Sequence, residues 1–311
     1  MTSTTSLPAL DAAAVVESVV DLVGEHYVFP DIARELAALL RRRNAEGRYR
    51  TASAEELAAA VTADLRSANG DLHLSLKYHE IPAPPEQGAA ALAAMRRTFD
   101  ASLGGVPRVE LLDHGVAVLE IAPHMFPLDW SAQSLAAALS LVAPARALVL
   151  DLRRNTGGDP DTVAFVCGYL LDRRTHLNTM LSRQGEVAAQ SWSPPFVPGA
   201  RFGGSKPLYV LTGGDTFSAG EELAYDLQQL GRAEVVGETT RGGAHPREGW
   251  TVHPQLELAV PVARAVNPVS GTNWEGVGVR PDVPCDAAAA LDRALALAAE
   301  RLARLCPGRP V

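Results

Sequence analysis

The sequence predicts an α/β fold preceded by a small three-helix domain. Two observations carry this. Strand-type and helix-type segments alternate from residue 115 onward, whereas residues 11–67 hold three segments of helical period with no strand between them. A proline-rich run, Ile81-Pro82-Ala83-Pro84-Pro85-Glu86-Gln87, separates the two regions. The expected organisation is therefore an N-terminal helical domain over 1–80 and an α/β core over 81–311.

In order, Asp11–Tyr27, Pro30–Glu46 and Ser53–Ser67 place Leu, Val and Ala at helical spacing, and the third opens with Ser53 and Glu56 as a capping box. A short strand, His73–Tyr78, follows. The core strands are expected at Gly115–Ile121, Ala147–Leu152, Pro207–Thr212, Ala233–Gly237 and Leu256–Pro261. Helices are expected between them at Ser131–Leu141, Asp161–Leu171 and Ser218–Leu230, and Asp286–Leu305 closes the chain as an amphipathic helix. No internal repeat, GxGxxG spacing or P-loop lysine occurs.

The segment 211–231 carries the most chemistry. An apolar strand runs into Gly213-Gly214, and Ser218 opens an amphipathic helix. The first N–H groups and the positive end of that helix suit the oxyanion of an acyl-transfer intermediate, with Ser218 as nucleophile. The same residues also spell a capping box, Ser218-Ala219-Gly220-Glu221, which needs no chemistry. Upstream, the buried-type strand Arg146–Leu152 ends in Arg153-Arg154-Asn155-Thr156-Gly157-Gly158-Asp159-Pro160, with Asp159 or Asp161 as the cap and Pro160 in the first turn of the next helix. Two strands thus each end in a Gly-Gly turn leading into a helix, where loops commonly build active sites.

Composition narrows the partners. The 311 residues are 47% hydrophobic, enough for a substantial core, and carry a net charge of −8. That charge argues against nucleic acid or an anionic membrane, both of which need a basic footprint. Cys167, Cys285 and Cys306 are widely spaced, without Cys-x-x-Cys, and suit a reducing compartment with no metal site. The N-terminus lacks the basic start of a signal peptide, Glu17 and Asp21 interrupt its first apolar stretch, and no apolar run reaches the roughly 18 residues of a membrane span.

Four motifs resemble, in order and spacing, the tail-specific or C-terminal processing peptidases, the S41 group of serine peptidases. They are Leu148-Val149-Leu150-Asp151-Leu152-Arg153-Arg154-Asn155-Thr156-Gly157-Gly158, Thr216-Phe217-Ser218-Ala219-Gly220-Glu221-Glu222, Gly237–Ala244 and Trp274–Asp282. The helical N-terminal segment and Gly70-Asp71-Leu72-His73-Leu74 look most like the branch typified by the modules of interphotoreceptor retinoid-binding protein. The resemblance implies a β-β-α spiral core of the kind shared with crotonase and ClpP. It also implies Ser218 as nucleophile, with oxyanion donors at the Ala219 amide and the Gly157–Gly158 turn. Ser–Lys members of the family have a lysine where this chain has Gly243. Members without it, such as the tricorn peptidase core, take a histidine from the end of the helical domain and a glutamate near the Pro-Asp motif, which correspond here to His73 and Glu275. Tricorn has a serine just before its histidine, where this chain has Leu72. His245, two residues beyond the lost lysine, is the rival base. The PDZ domain of roughly 90 residues that processing peptidases insert does not fit between Tyr78 and Gly115. Those of the periplasm carry an export signal, so a cytoplasmic location is expected here.

A histidine titrates near neutrality, takes the serine proton during attack and returns it to the leaving amine, while a carboxylate fixes its tautomer. The leading expectation is a serine peptidase, or related amide or ester hydrolase, acting on a peptide or small hydrophobic substrate without cofactor or metal. Two others stand beside it. One is a non-catalytic module that binds a hydrophobic ligand, with Ser218 only a helix cap. The other is an acyl-transfer or cyclisation enzyme of specialised metabolism that uses the same serine.

Overall fold

The computed structural model describes residues 9–80 and 87–305; Cys306 and nearly all of the proline-rich run lie outside them. In chain order the elements are α1 (Ala12–His26), α2 (Pro30–Ala45), α3 (Ala54–Arg66), β1 (Ser75–Tyr78), α4 (Gln87–Ala101), β2 (Arg108–Leu111) and β3 (Val116–Glu120). There follow α5 (Leu128–Val142), β4 (Ala147–Asp151), α6 (Pro160–Leu170), β5 (His176–Leu181), β6 (Val187–Trp192), β7 (Leu208–Thr212) and α7 (Ala219–Gln229). The last are β8 (Glu234–Gly237), β9 (Arg247–His253), β10 (Leu256–Pro261), β11 (Arg264–Val266), β12 (Val283–Pro284) and α8 (Ala290–Leu305). The chain divides into two compact units, one of Met1–Ala94, Leu181–Ala188 and His245–Arg264, the other of Met95–Met180, Ala189–Ala244 and Ala265–Val311.

In the first unit, Asp11 caps α1 by accepting from the Ala14 N–H, and Ser53 caps α3 by accepting from the Glu56 N–H. Val15, Val16, Val19, Val20 and Val23 form the buried stripe of α1, meeting Leu36 and Leu40 of α2 and Leu57, Val61 and Leu65 of α3 in one core. Each such side chain contributes about 1.5–3 kcal/mol when fully buried. The same core takes Leu74 and Leu76 from β1 and Leu256, Leu258 and Val260 from β10. The sheet beneath is antiparallel, in the order β1-β10-β9, with Leu76 opposite Leu258. The strand 256–261 was expected in the core sheet, but it pairs here: its alternation identifies a strand and leaves the partner open. The helical unit is therefore not a contiguous stretch ending at residue 80.

The second unit is built on a six-stranded sheet in the order β12-β8-β7-β4-β3-β2, parallel except for the antiparallel edge strand β2. Both faces are covered, which is why β4 reads as the unbroken apolar run Ala147-Leu148-Val149-Leu150. Leu148 and Leu150 pack into the core shared with α5, α6 and α7, while Ala147 and Val149 pack with Ala290, Ala294, Ala298 and Leu302 of α8. The four-residue spacing of three alanines gives α8 a smooth stripe along which it lies on the sheet. A mixed α/β core with a helical N-terminal region is as expected. Helix α4, strand β2, the β5–β6 hairpin and strand β9 had no counterpart in the sequence reading. Strands β2, β6 and β9 are half-buried or exposed along their whole length, so no buried apolar period marks them.

Candidate active site

The carboxyl ends of β4 and β7 carry the two glycine turns. After β7, the Thr216 hydroxyl donates to Leu152 O and accepts from the Gly213 N–H, and the Phe217 N–H donates to Asn155 O at 3.1 Å. The turn after β7 is thereby bonded to the turn after β4. Ser218 follows with φ 53° and ψ −120°, then α7 begins. A left-handed φ on a serine is uncommon and costs of order 1–3 kcal/mol. The capping-box partner expected from the sequence is present, since the Glu221 carboxylate accepts from the Ser218 N–H at 2.8 Å. An ordinary capping serine, however, has extended backbone.

Gly157 (φ 102°) and Gly158 (φ 139°) both have conformations that favour glycine. A Cβ on Gly158 would lie 2.0 Å from Met125 O, so backbone alone fits there. Asn155, fully buried, holds the turn: its amide donates to Ile121 O and its Oδ1 accepts from the Gly157 N–H at 2.9 Å. Both glycines were expected as oxyanion donors, but the Gly157 N–H is committed to Asn155. Among the described residues, no oxygen accepts from the Gly158 or Ala219 N–H. The Ala219 amide belongs to the buried first turn of α7, at the positive end of the helix.

Glu221 does more than cap. Its carboxylate, fully buried, also accepts from the Thr240 hydroxyl and from the N–H groups of Gly242 (2.6 Å) and Gly243 (2.9 Å). One side chain thus binds the Ser218 backbone to the loop in which Gly243 stands at the lysine position of the Ser–Lys members. That loop is bonded in turn to 274–278: the Trp274 indole donates to Gly243 O, and Glu275 accepts from the Ala244 N–H at 2.5 Å. Lys206 is engaged elsewhere. It precedes β7, at the end of that strand away from Ser218, and its ammonium donates to Ala143 O and Ala145 O at the end of α5.

The two candidate bases both lie in the first unit. His73 is buried in the turn before β1, and its N–H donates to Asp71 Oδ1. Burial lowers the His73 imidazole to about 4, with Asp71 opposing and the charges of Arg247 and His245 assisting, so the ring is neutral at pH 7. The His245 ring places Nδ1 2.9 Å from Asp71 Oδ2, the oxygen that also accepts from the Tyr27 hydroxyl. Burial opposes ionisation of Asp71, but the hydrogen bonds from His245 and Tyr27 outweigh it and hold the carboxyl below its usual range. Asp71, two residues before His73, went unassigned in the sequence. Its only signal was its place in Gly70-Asp71-Leu72-His73, since its ring partner is 174 positions away.

Residues 117–285 match the model of peptidase family S41, and residues 5–102 match that of the N-terminal domain of peptidase S41 in eukaryotic IRBP. A carboxy-terminal-processing protease from Bartonella bacilliformis is 30% identical over 138 residues, which cover 43% of this chain and 30% of that protein. The match therefore spans less than a third of that relative's length. Among solved structures, a lipoprotein from Streptococcus agalactiae superposes with a TM-score of 0.63 at 16% identity, covering 96% of this chain and 99% of that one. A photosystem II D1 C-terminal processing protease superposes with a TM-score of 0.53 at 17% identity, covering 89% and 94%. At such identities the likeness shows the fold. No helix among the described residues is long and apolar enough to cross a membrane.

Proposed function

We propose that this chain, which belongs to peptidase family S41, is a serine peptidase in which Ser218 attacks the scissile carbonyl. His73 takes the serine proton and returns it to the leaving amine, Glu275 supports the imidazolium, and the Gly158 and Ala219 amides stabilise the oxyanion. A neutral imidazole is the form that can accept a proton, and burial keeps His73 in that form. Cofactor and metal have no part in this scheme. Among the described residues Cys167 and Cys285 are unpaired, in keeping with work in the reducing cytoplasm.

The observation that carries this reading is the left-handed backbone of Ser218 against the Gly157 turn. A serine that only caps a helix gains nothing from such strain, whereas a nucleophile at a sharp strand-to-helix turn is presented by it. Reaction with a fluorophosphonate probe tests it. Covalent labelling of the protein, located on Ser218 by mass spectrometry and lost in Ser218→Ala, is the expected result. An unlabelled protein, or an adduct on another serine, overturns the assignment and favours a ligand-binding module.

The Asp71–His245 hydrogen bond favours a second reading, in which His245 is the base and Asp71 its orienting carboxylate. Labelling rates of His73→Ala and His245→Ala separate the two. A loss of several orders of magnitude in the first, with a modest change in the second, assigns the base to His73, and the reverse assigns it to His245.

A further inference from the structure

Arg241 is an arginine that the acyl-transfer scheme leaves unused. Its N–H donates to Thr216 O at 3.1 Å, which ties its backbone to the turn two residues before Ser218. Its guanidinium carbon lies 5.0 Å from the centroid of the Phe217 ring, and Phe217 is itself anchored by its N–H on Asn155 O. The cation is therefore held at the residue preceding the nucleophile, over an aromatic face that orients it without neutralising it.

The other arginines on the turns bordering Ser218 are neutralised. Arg153 pairs with Asp151 at 2.6 Å, and Arg154 pairs with the buried Glu120 at 2.7 Å. Among the described residues, Arg241 makes no ion pair, and its side chain is exposed.

We propose that Arg241 is a specificity-determining residue that receives a carboxylate of the substrate, so that peptides with an anionic group within about two residues (roughly 7 Å) of the scissile bond are preferred. The planar guanidinium fork matches a carboxylate in two parallel hydrogen bonds, and the aromatic face behind it limits the orientations lost on binding. The carboxylate is supplied either by an Asp or Glu side chain or by a free chain terminus. This inference rests on Ser218 being the nucleophile.

The test uses fluorogenic peptides that differ only in Asp against Asn on either side of the cleaved bond, all with amidated C-termini. A second pair has neutral side chains and differs in a free or amidated C-terminus close to that bond. Rates are normalised to the fraction of Ser218 titrated by a fluorophosphonate, so failure of the nucleophile shows as loss of titration and is distinct from failure of the specificity. The wild type is expected to prefer one anionic peptide by about tenfold in kcat/KM, mainly through KM, with the preference falling as salt rises. Arg241→Gln is expected to bring the ratio to about one, and Arg241→Lys to keep part of it. Preference in the first set assigns the carboxylate to a side chain, and in the second to the terminus. Equal rates on all pairs in the wild type, or a preference that survives Arg241→Gln, overturn the proposal. Peptide binding to Ser218→Ala, with and without Arg241→Gln, gives the same discrimination without turnover.

Discussion

A Cβ on Gly157 would come within 2.7 Å of the Ser218 Cβ and 3.2 Å of its Oγ. The glycine turn after β4 and the serine turn after β7 thus approach each other as closely as backbone allows. Gly157→Ala meets both this contact and an unfavourable φ of 102°. It is expected to cost about 1–3 kcal/mol in chemical denaturation and to slow fluorophosphonate labelling about a hundredfold. Labelling at the wild-type rate in a folded Gly157→Ala would show that this turn does not shape the site.

The strain at Ser218 makes a contrast between two substitutions. Ser218→Ala keeps a Cβ in the left-handed region at φ 53° and is expected to leave stability unchanged or lower it by up to about 1 kcal/mol. Ser218→Gly relieves the strain and is expected to match or exceed the wild type by up to about 1 kcal/mol. Both abolish labelling. Melting of the two variants side by side checks this, and a glycine variant less stable than the alanine would contradict the strain.

Glu221 accepts on both oxygens, from Ser218 and Gly243 on one and from Thr240 and Gly242 on the other. Glu221→Gln must turn its amide toward at least one backbone N–H, whichever way it is flipped. The expected loss is about 2–3 kcal/mol, together with reduced labelling because Ser218 is no longer held to the 240–243 loop. A variant of unchanged Tm would show that these bonds are dispensable.

The pH behaviour of His73 follows from its burial. Its imidazole lies near 4 in the folded protein and 6.5 when unfolded, so the unfolded chain binds more protons between those values. Stability therefore falls as pH drops from about 6.5 toward 4, by up to about 3 kcal/mol from this group. His73→Gln removes that part of the slope. If His73 is the base, the acid limb of kcat/KM also lies near 4, provided the protein remains folded. A limb near 6.5, unchanged in His73→Gln, would remove His73 from the role.

Two buried carboxyls on α7 act in the opposite sense. Burial raises Glu222 to about 7 and lifts Asp226 well above its usual range, while the Asn178 amide donates to both. A raised carboxyl contributes stability that is lost as pH rises from its unfolded value of 4.5 through its folded value of about 7, so Glu222→Gln is expected to flatten the loss across that range in thermal melts. An unaltered slope would show that Glu222 titrates as an ordinary carboxyl.

What the sequence determined by itself was local. The valine stripe of α1, the alanine stripe of α8 and the unbroken apolar run of β4 each report burial through their period. The two Gly-Gly turns and the Ser218–Glu221 spacing were legible because they depend on φ and ψ within a few residues. Tertiary structure decided what lies far apart along the chain. It gave β10 to the helical unit's sheet, committed the Gly157 N–H to Asn155, spread Glu221 over a loop twenty residues on and brought His245 to Asp71. The physical reason is that periodicity records how a segment meets water, whereas the partner of a buried hydrogen-bonding group is chosen by packing across the whole fold.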